Sequence, residues 1–209
     1  MLGMPVPDHL LARARRLAEP GGRRVLGIAG APGAGKSTLA QCLVEALDGL
    51  AVLVAMDGFH LAQQELERLG RAGRKGAPDT FDAAGYAALL ARLRDPDPAV
   101  TVYAPAFDRA LEEPVAGSVP IAPGVPLVVT EGNYLLHDEG HWARVRPLLD
   151  EAWFLEIDKD VRVRRLVERH VSFGKERTFA ESWVHGSDEA NARLVGRSRD
   201  RADLVVTGT

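Results

Sequence analysis

The clearest chemistry in the sequence lies in Gly30, Gly35, Lys36 and Ser37, which satisfy the spacing G-x-x-x-x-G-K-[ST] within the stretch GAPGAGKST. Glycines let a backbone bend until several N–H groups converge on phosphate oxygens. A helix that starts where the bend ends adds the positive end of its dipole. An ammonium at position 36 reaches β and γ phosphates, and a hydroxyl at position 37 coordinates Mg²⁺. Gly30, Ala31, Pro32, Gly33, Ala34, Gly35, Lys36, Ser37 and Thr38 are therefore assigned to a nucleoside triphosphate, with Ser37 also assigned to the metal. The plain alternative is a glycine turn that merely joins a strand to a helix. The motif does not say what the triphosphate is for, because kinases, ATPases and GTPase switches share it.

Two acids follow apolar runs. Leu50–Ala55 ends in Met56-Asp57-Gly58-Phe59-His60, and Pro126–Thr130 ends in Glu131-Gly132-Asn133-Tyr134. A carboxylate at the carboxyl end of a parallel strand sits where open α/β sheets bind ligands. Asp57 is the candidate general base, with a helix cap for Leu61–Leu69 as its alternative. Glu131 is the candidate partner of the nucleotide's magnesium, acting through a water because Mg²⁺ dehydrates reluctantly; its alternative is again a cap. His60 contacts substrate or caps the local turn. In the basic, glycine-rich loop Gly70–Thr80, Arg71, Arg74 and Lys75 either bind an anion or form a solvated charge run. Arg109 follows a strand in VYAPAFDR and grips substrate or phosphate, or pairs with Asp108 or Glu112. Late in the chain, Arg165 and Arg169 are one helical turn apart and share a face, which suits a lid closing over transferring phosphates.

The elements that must hold these residues are legible as alternating strands and helices. Asp8–Glu19 reads as an amphipathic helix with Leu10, Leu11, Ala14, Leu17 and Ala18 on one face and Arg13, Arg15 and Arg16 on the other. Arg24–Ala29, Leu50–Ala55, Pro126–Thr130, Glu151–Ile157 and Asp203–Val206 read as core strands, and Val100–Ala104 alternates as a further one. Leu39–Leu47 and Phe81–Arg94 read as helices, the second capped by Asp79 or Thr80 and stopped by Asp95-Pro96-Asp97-Pro98. Pro114–Pro126 is punctuated into turns or short edge strands. His141–Leu149 reads as a short helix, residues 161–186 as an arginine-bearing helical lid, and Ser187–Ser198 as the last helix. Right-handed crossovers then give an α/β fold, a parallel sheet with helices on both faces.

Composition bounds the partners. The 209 residues suit one α/β domain spanning 1–209, and 46% hydrophobic with 26% charged residues is ordinary for a globular chain. A net charge of −3 with dispersed basic residues disfavours a nucleic-acid partner. No apolar run approaches the ~20 residues of a membrane span. The N-terminal LARARR interrupts any signal-peptide core, and Cys42 is the only cysteine, so no intrachain disulfide forms; a cytoplasmic protein is expected. A GTPase would carry N-K-x-D after a late strand, where this chain has Asp158-Lys159-Asp160-Val161. A nucleotide-binding regulatory ATPase without a small-molecule acceptor stays open as the alternative to an enzyme.

GAPGAGKST, MDGFHL, RKGAPDTFD, VYAPAFDR and TEGNYLL, taken in order, resemble the phosphoribulokinase/uridine kinase group of phosphate-loop kinases. Within that group the chain is similar to bacterial nucleoside/nucleotide-kinase-like proteins often labelled fructose-transport-system kinases, and to type I pantothenate kinases. The resemblance covers about Arg24 to Val206. It implies the P-loop NTPase fold and ATP- and Mg²⁺-dependent phosphorylation of a hydroxyl on a small metabolite: a sugar, a pantothenate-like acid or a nucleoside. By that resemblance Asp57 deprotonates or orients the acceptor hydroxyl, Glu131 supports Mg²⁺, Arg109 contacts substrate, and Arg165 or Arg169 serves the phosphates with Lys36. Asp57, His60, Lys75, Arg109 and Tyr134 make up the expected substrate contacts. Relatives of this architecture often form homodimers.

Overall fold

The computed structural model describes residues 6–208; residues 1–5 and 209 of the expected 1–209 domain lie outside them. The strands are β1 (Arg24–Gly30), β2 (Ala51–Ala55), β3 (Val102–Asp108), β4 (Glu113–Ile121), β5 (Leu127–Gly132), β6 (Glu151–Glu156) and β7 (Leu204–Thr207). The α-helices are α1 (Asp8–Leu17), α2 (Lys36–Ala46), α3 (Gln63–Arg68), α4 (Ala83–Arg94), α5 (Lys159–Ser172), α6 (Arg177–Trp183) and α7 (Glu189–Gly196).

Five strands form one sheet in the order β2-β5-β1-β6-β7, with every pairing parallel. β1 is buried from Val25 to Gly30, and β5 is buried along its whole length. Coverage on both faces is why these segments read as continuous apolar runs rather than alternating ones. On one face Leu10 and Ala14 of α1 and Ala40 and Leu43 of α2 pack with Leu26, Ile28, Val129 and Trp153. On the other, Tyr86 and Leu90 of α4 and Val195 of α7 pack with Val25, Val54, Val128 and Phe154. The layers bring the carboxyl ends of β2, β5, β1 and β6 to one rim, where the glycine-rich turn sits. Among the described residues no helix is long and apolar enough to cross a membrane.

Several local expectations are corrected. α4 is capped by Asp82, whose Oδ1 accepts from the Gly85 amide at 2.8 Å, not by Asp79 or Thr80. Asp79 is instead taken by Arg71 and Arg74, and the Thr80 hydroxyl by the Ala77 carbonyl at 2.7 Å. These bonds fold the basic loop into two 3₁₀ turns, Ala72–Arg74 and Pro78–Thr80. Pro114–Pro126, read as turns or short edge strands, contributes most of β4, which pairs antiparallel with β3 as a separate hairpin, so the edge-strand alternative holds. Among the described residues β4 pairs with β3 alone, so its prolines sit on an edge strand, where a missing N–H is tolerated. Residues 141–149 form 3₁₀ segments Gly140–Arg144 and Arg146–Leu148, because Pro147 cannot donate into a longer helix. The expected lid and last helix are continuous: α6 runs through a π-helical turn, Val184–Asp188, into α7.

Candidate active site

β1 delivers the chain to the rim, and its last residue must turn sharply against β6. Gly30 has φ +151°, and a Cβ there would stand 2.5 Å from the Leu155 carbonyl oxygen, so only glycine fits. Gly35 occupies the N-cap of α2 with φ +95°, and no side chain caps the helix. That leaves the first N–H groups of an eleven-residue helix directed at the rim, as anion binding requires. Lys36 folds back over the turn: its Nζ donates to the Ala31 carbonyl at 3.0 Å and to Asn133 Oδ1 at 2.7 Å. Burial lowers its ammonium from the ordinary 10.5 to about 8, although Glu131 and Asp57 pull it upward.

β5 sets Glu131 beside β1, in register with Ile28, inside the strand rather than after it. Its Oε1 accepts from the Ser37 hydroxyl at 2.9 Å. Burial and the neighbouring Asp57 charge push the Glu131 carboxyl above the usual range, against the opposing pull of Lys36 and Ser37. A hydroxyl and a carboxylate are hard oxygen donors that suit Mg²⁺, which takes few protein ligands and keeps its waters or phosphate oxygens.

β2 passes Asp57 to the same rim through the 3₁₀ turn Met56–Phe59. Asp57 caps no helix there. Its Oδ2 accepts from Arg109 NH2 at 2.8 Å, so Arg109, at the tip of the β3–β4 hairpin, pairs with neither Asp108 nor Glu112. Gly58 has no room for a side chain, since a Cβ would clash with the Pro105 carbonyl; the hairpin lies directly on the turn that carries Asp57. His60 closes this turn, its Nδ1–H donating to the Asp57 carbonyl at 2.9 Å. Burial lowers the His60 pKa, so the ring is neutral near pH 7 and its Nε2 is a lone-pair acceptor. Phe107 lies between Arg109, 4.8 Å from the ring centroid, and Lys75, at 5.3 Å. The Lys75 ammonium also donates to the Glu112 carbonyl at 2.9 Å, which ties the basic loop to the hairpin. Tyr134 is placed differently from a substrate contact. It is fully buried, and its hydroxyl donates to the Gly76 carbonyl at 2.5 Å, so it props the basic loop from below.

α5 covers the phosphate turn from the other side. Gly33 has φ +79°, and a Cβ on it would meet Leu166 Cγ at 2.7 Å and the Arg162 carbonyl at 3.1 Å. Arg165 NH1 stands 4.0 Å from the place a Gly35 Cβ would take, and the Arg169 charge depresses Lys36. Arg162 is 5% exposed; its guanidinium donates to the Pro32 carbonyl at 3.3 Å and binds Glu189. Asn133, Phe107, Arg162 and Glu189 were not singled out from sequence. Asn133 lay in plain view two residues after Glu131, on the strand end that faces the turn. The others emerge only when separate segments meet.

The sequence pattern of the phosphoribulokinase/uridine kinase family matches residues 25–208. An ATP-dependent kinase-like protein of Aspergillus versicolor is 35% identical over 161 residues, covering 73% of this chain and 94% of that protein. The uncharacterized protein YggC of Escherichia coli is 31% identical over 206 residues, covering 96% of this chain and 84% of that one. In three dimensions a Silicibacter protein, assigned provisionally as a fructose transport system kinase, superposes with TM-score 0.86 at 36% identity, covering 95% of this chain and 97% of its own. With the phosphate turn, its lysine and the strand-end acids assembled at one rim of the parallel sheet, this chain belongs to the phosphoribulokinase/uridine kinase family of P-loop kinases.

Proposed function

We propose that this chain, as a single domain, transfers the γ-phosphate of ATP to a hydroxyl group of a small metabolite: a sugar, a pantothenate-like acid or a nucleoside. The observation that carries the reading is the Asp57 carboxylate, held at 2.8 Å by Arg109 on the rim beside the phosphate turn, with its charge felt by both Lys36 and Glu131. A turn built only to bind nucleotide has no use for a second, substrate-facing carboxylate oriented by a hairpin. In this reading Asp57 accepts the proton of the acceptor hydroxyl. The oxygen attacks the γ-phosphorus in line, the bond to the β-phosphate oxygen breaks, and ADP leaves with that electron pair. The N–H groups of the turn and Lys36 hold the β and γ phosphates, and Arg165 and Arg169 on α5 face the charge that spreads over the transferring group. His60 Nε2, Lys75 and Arg109 orient the acceptor around Phe107. Ser37 and Glu131 would hold Mg²⁺, which supplies charge neutralisation at the phosphates. The lone Cys42 suits a reducing compartment and so a cytoplasmic setting.

The test is ADP release on incubating the protein with ATP and a fractionated pool of hydroxyl metabolites. Release that depends on one fraction is expected. Asp57→Asn should abolish that release and leave ATP affinity near the wild-type value. Release independent of any fraction would instead support a regulatory ATPase, and full turnover in Asp57→Asn would remove the base assignment.

A further inference from the structure

Arg162, Arg165 and Arg169 lie at i, i+3 and i+7 on α5 and so share one face. Arg162 is nevertheless committed elsewhere. It is buried, its NH1 donates to the Pro32 carbonyl at 3.3 Å, and its NH2 binds Glu189 Oε1 on α7. The other Glu189 oxygen faces Lys159 Nζ at 3.3 Å, and Glu189 is itself 7% exposed. The apex of the phosphate turn rests on the same spot, with Gly33 against Arg162 and Leu166. A cavity of about 310 Å³, lined in part by Ala31, Ala34, Arg162 and Glu189, opens beside the pair. A guanidinium released from its carboxylate therefore has space to leave the Pro32 carbonyl.

We infer that Glu189 is a positioning residue for phosphate binding: it pins the Arg162 guanidinium to the Pro32 carbonyl and so fixes the turn and α5 relative to each other before nucleotide arrives. The inference rests on Gly30–Thr38 being the nucleotide site. A buried arginine without its carboxylate is an uncompensated charge, and it relaxes toward water. The turn then loses the donor on Pro32, and α5 loses the contact that places Arg165 and Arg169. Part of the binding energy of the nucleotide must afterwards be spent on restoring that arrangement.

The experiment is calorimetric titration of Mg·ADP into the full chain, well below the melting temperature of each protein. Wild type is compared with Glu189→Gln, Arg162→Met and the double variant Arg162→Met/Glu189→Gln. Each single substitution should raise Kd about tenfold or more, as loss of a charged hydrogen bond does. The double variant should be no worse than Arg162→Met alone, because without the guanidinium the carboxylate has nothing to hold. A role in stability alone lowers the melting temperature and leaves Kd within about twofold of wild type, which overturns the inference, as do additive losses. If Glu189→Gln does not fold, Arg162→Met/Glu189→Leu replaces the ion pair by apolar groups of similar volume, a change buried pairs tolerate. That variant binding ADP as wild type does overturns the inference, and about tenfold weaker binding supports it. A wild-type protein that binds no ADP rejects the nucleotide site itself, a failure visible before any variant is measured.

Discussion

At the scale of single residues the most informative group is Lys36, whose burial leaves its ammonium at about 8 although Glu131 and Asp57 act to raise it. A bound polyphosphate adds negative charge beside this group and raises its pKa again. The free protein therefore holds fewer protons on Lys36 than the complex does in the region of pH 8 and above. Binding takes up a proton there, and ADP affinity falls as pH rises through 8; well below 8 both states are protonated and affinity is flat. Titrations at pH 8.5 in buffers of different ionisation enthalpy should show fractional proton uptake. Lys36→Ala should bind ADP more weakly and lose the buffer dependence. A wild-type enthalpy that is the same in every buffer would count against a buried, titrating Lys36. Lys36, Ser37, Asp57 and Glu131 were legible in sequence because each sits at a fixed offset from a glycine or from the end of an apolar strand. The partner of Asp57 was not. Arg109 and Asp57 are 52 residues apart, and Asp108 and Glu112 are nearer in the chain, so spacing favours the wrong pair. Tyr134 shows the reverse limit: it stands three residues after Glu131, yet strand and turn geometry send its ring into the core toward Gly76.

Elements differ in what they owe to local signals. α4 is set by its own sequence, with Asp82 capping the Gly85 amide and Asp95-Pro96 following Arg94. Asp82→Ala removes one cap, and should cost about 1 kcal/mol, read as a melting temperature lower by about 2–4 °C. ADP affinity should not change, because Asp82 contributes only its amide to the Phe59 carbonyl near the site. The phosphate turn depends on a distant element instead. Gly33→Ala places a Cβ 2.7 Å from Leu166 Cγ, at a left-handed backbone position, so α5 must move or the turn must flatten. That substitution should lower the melting temperature and raise the ADP Kd together, each measured directly on the purified variant. If Gly33→Ala alters stability alone, α5 does not shape the phosphate site. The same contrast explains two further segments. Strand β4 carries two prolines and an exposed glycine, local signals that suit either turns or a short edge strand; pairing with β3 decides for the strand. The basic loop reads as flexible by composition, yet Asp79 and the Glu112 carbonyl neutralise or tie its cations. Asp79 lies within the loop, five residues from Arg74, whereas the Glu112 carbonyl that holds Lys75 is 37 residues away and beyond a local reading.

Over the whole molecule, the strand order decides which legible residues can act together. Parallel strands read as apolar runs announce that acids at their carboxyl ends share a rim, but not which strand is central. The order β2-β5-β1-β6-β7 puts Glu131 directly beside the phosphate turn and Asp57 one strand further out. A nucleotide at that rim would touch groups carried by β1, α2, β5 and α5 at once, so its binding should be felt as global stability. Magnesium·ADP at about 100 times its Kd stabilises the folded state by about 2.7 kcal/mol. For a chain of this length that corresponds to a rise in melting temperature of about 5–10 °C. On the proposed reading part of that rise should depend on the metal, because Ser37 and Glu131 present their oxygens to each other at 2.9 Å and can turn both toward a cation between them and the phosphates. EDTA should therefore shrink the shift in the wild-type protein at fixed ADP. In Glu131→Gln the shift should be smaller from the outset and insensitive to EDTA, since an amide neutralises no cation charge. The substitution also removes a buried carboxyl held above its usual range, so the unliganded variant should be less stable than wild type by no more than about 1 kcal/mol, a melting temperature lower by at most about 2–4 °C. An ADP-induced shift of equal size with and without EDTA in the wild-type protein would remove Glu131 and Ser37 from the metal site while leaving the phosphate turn in place.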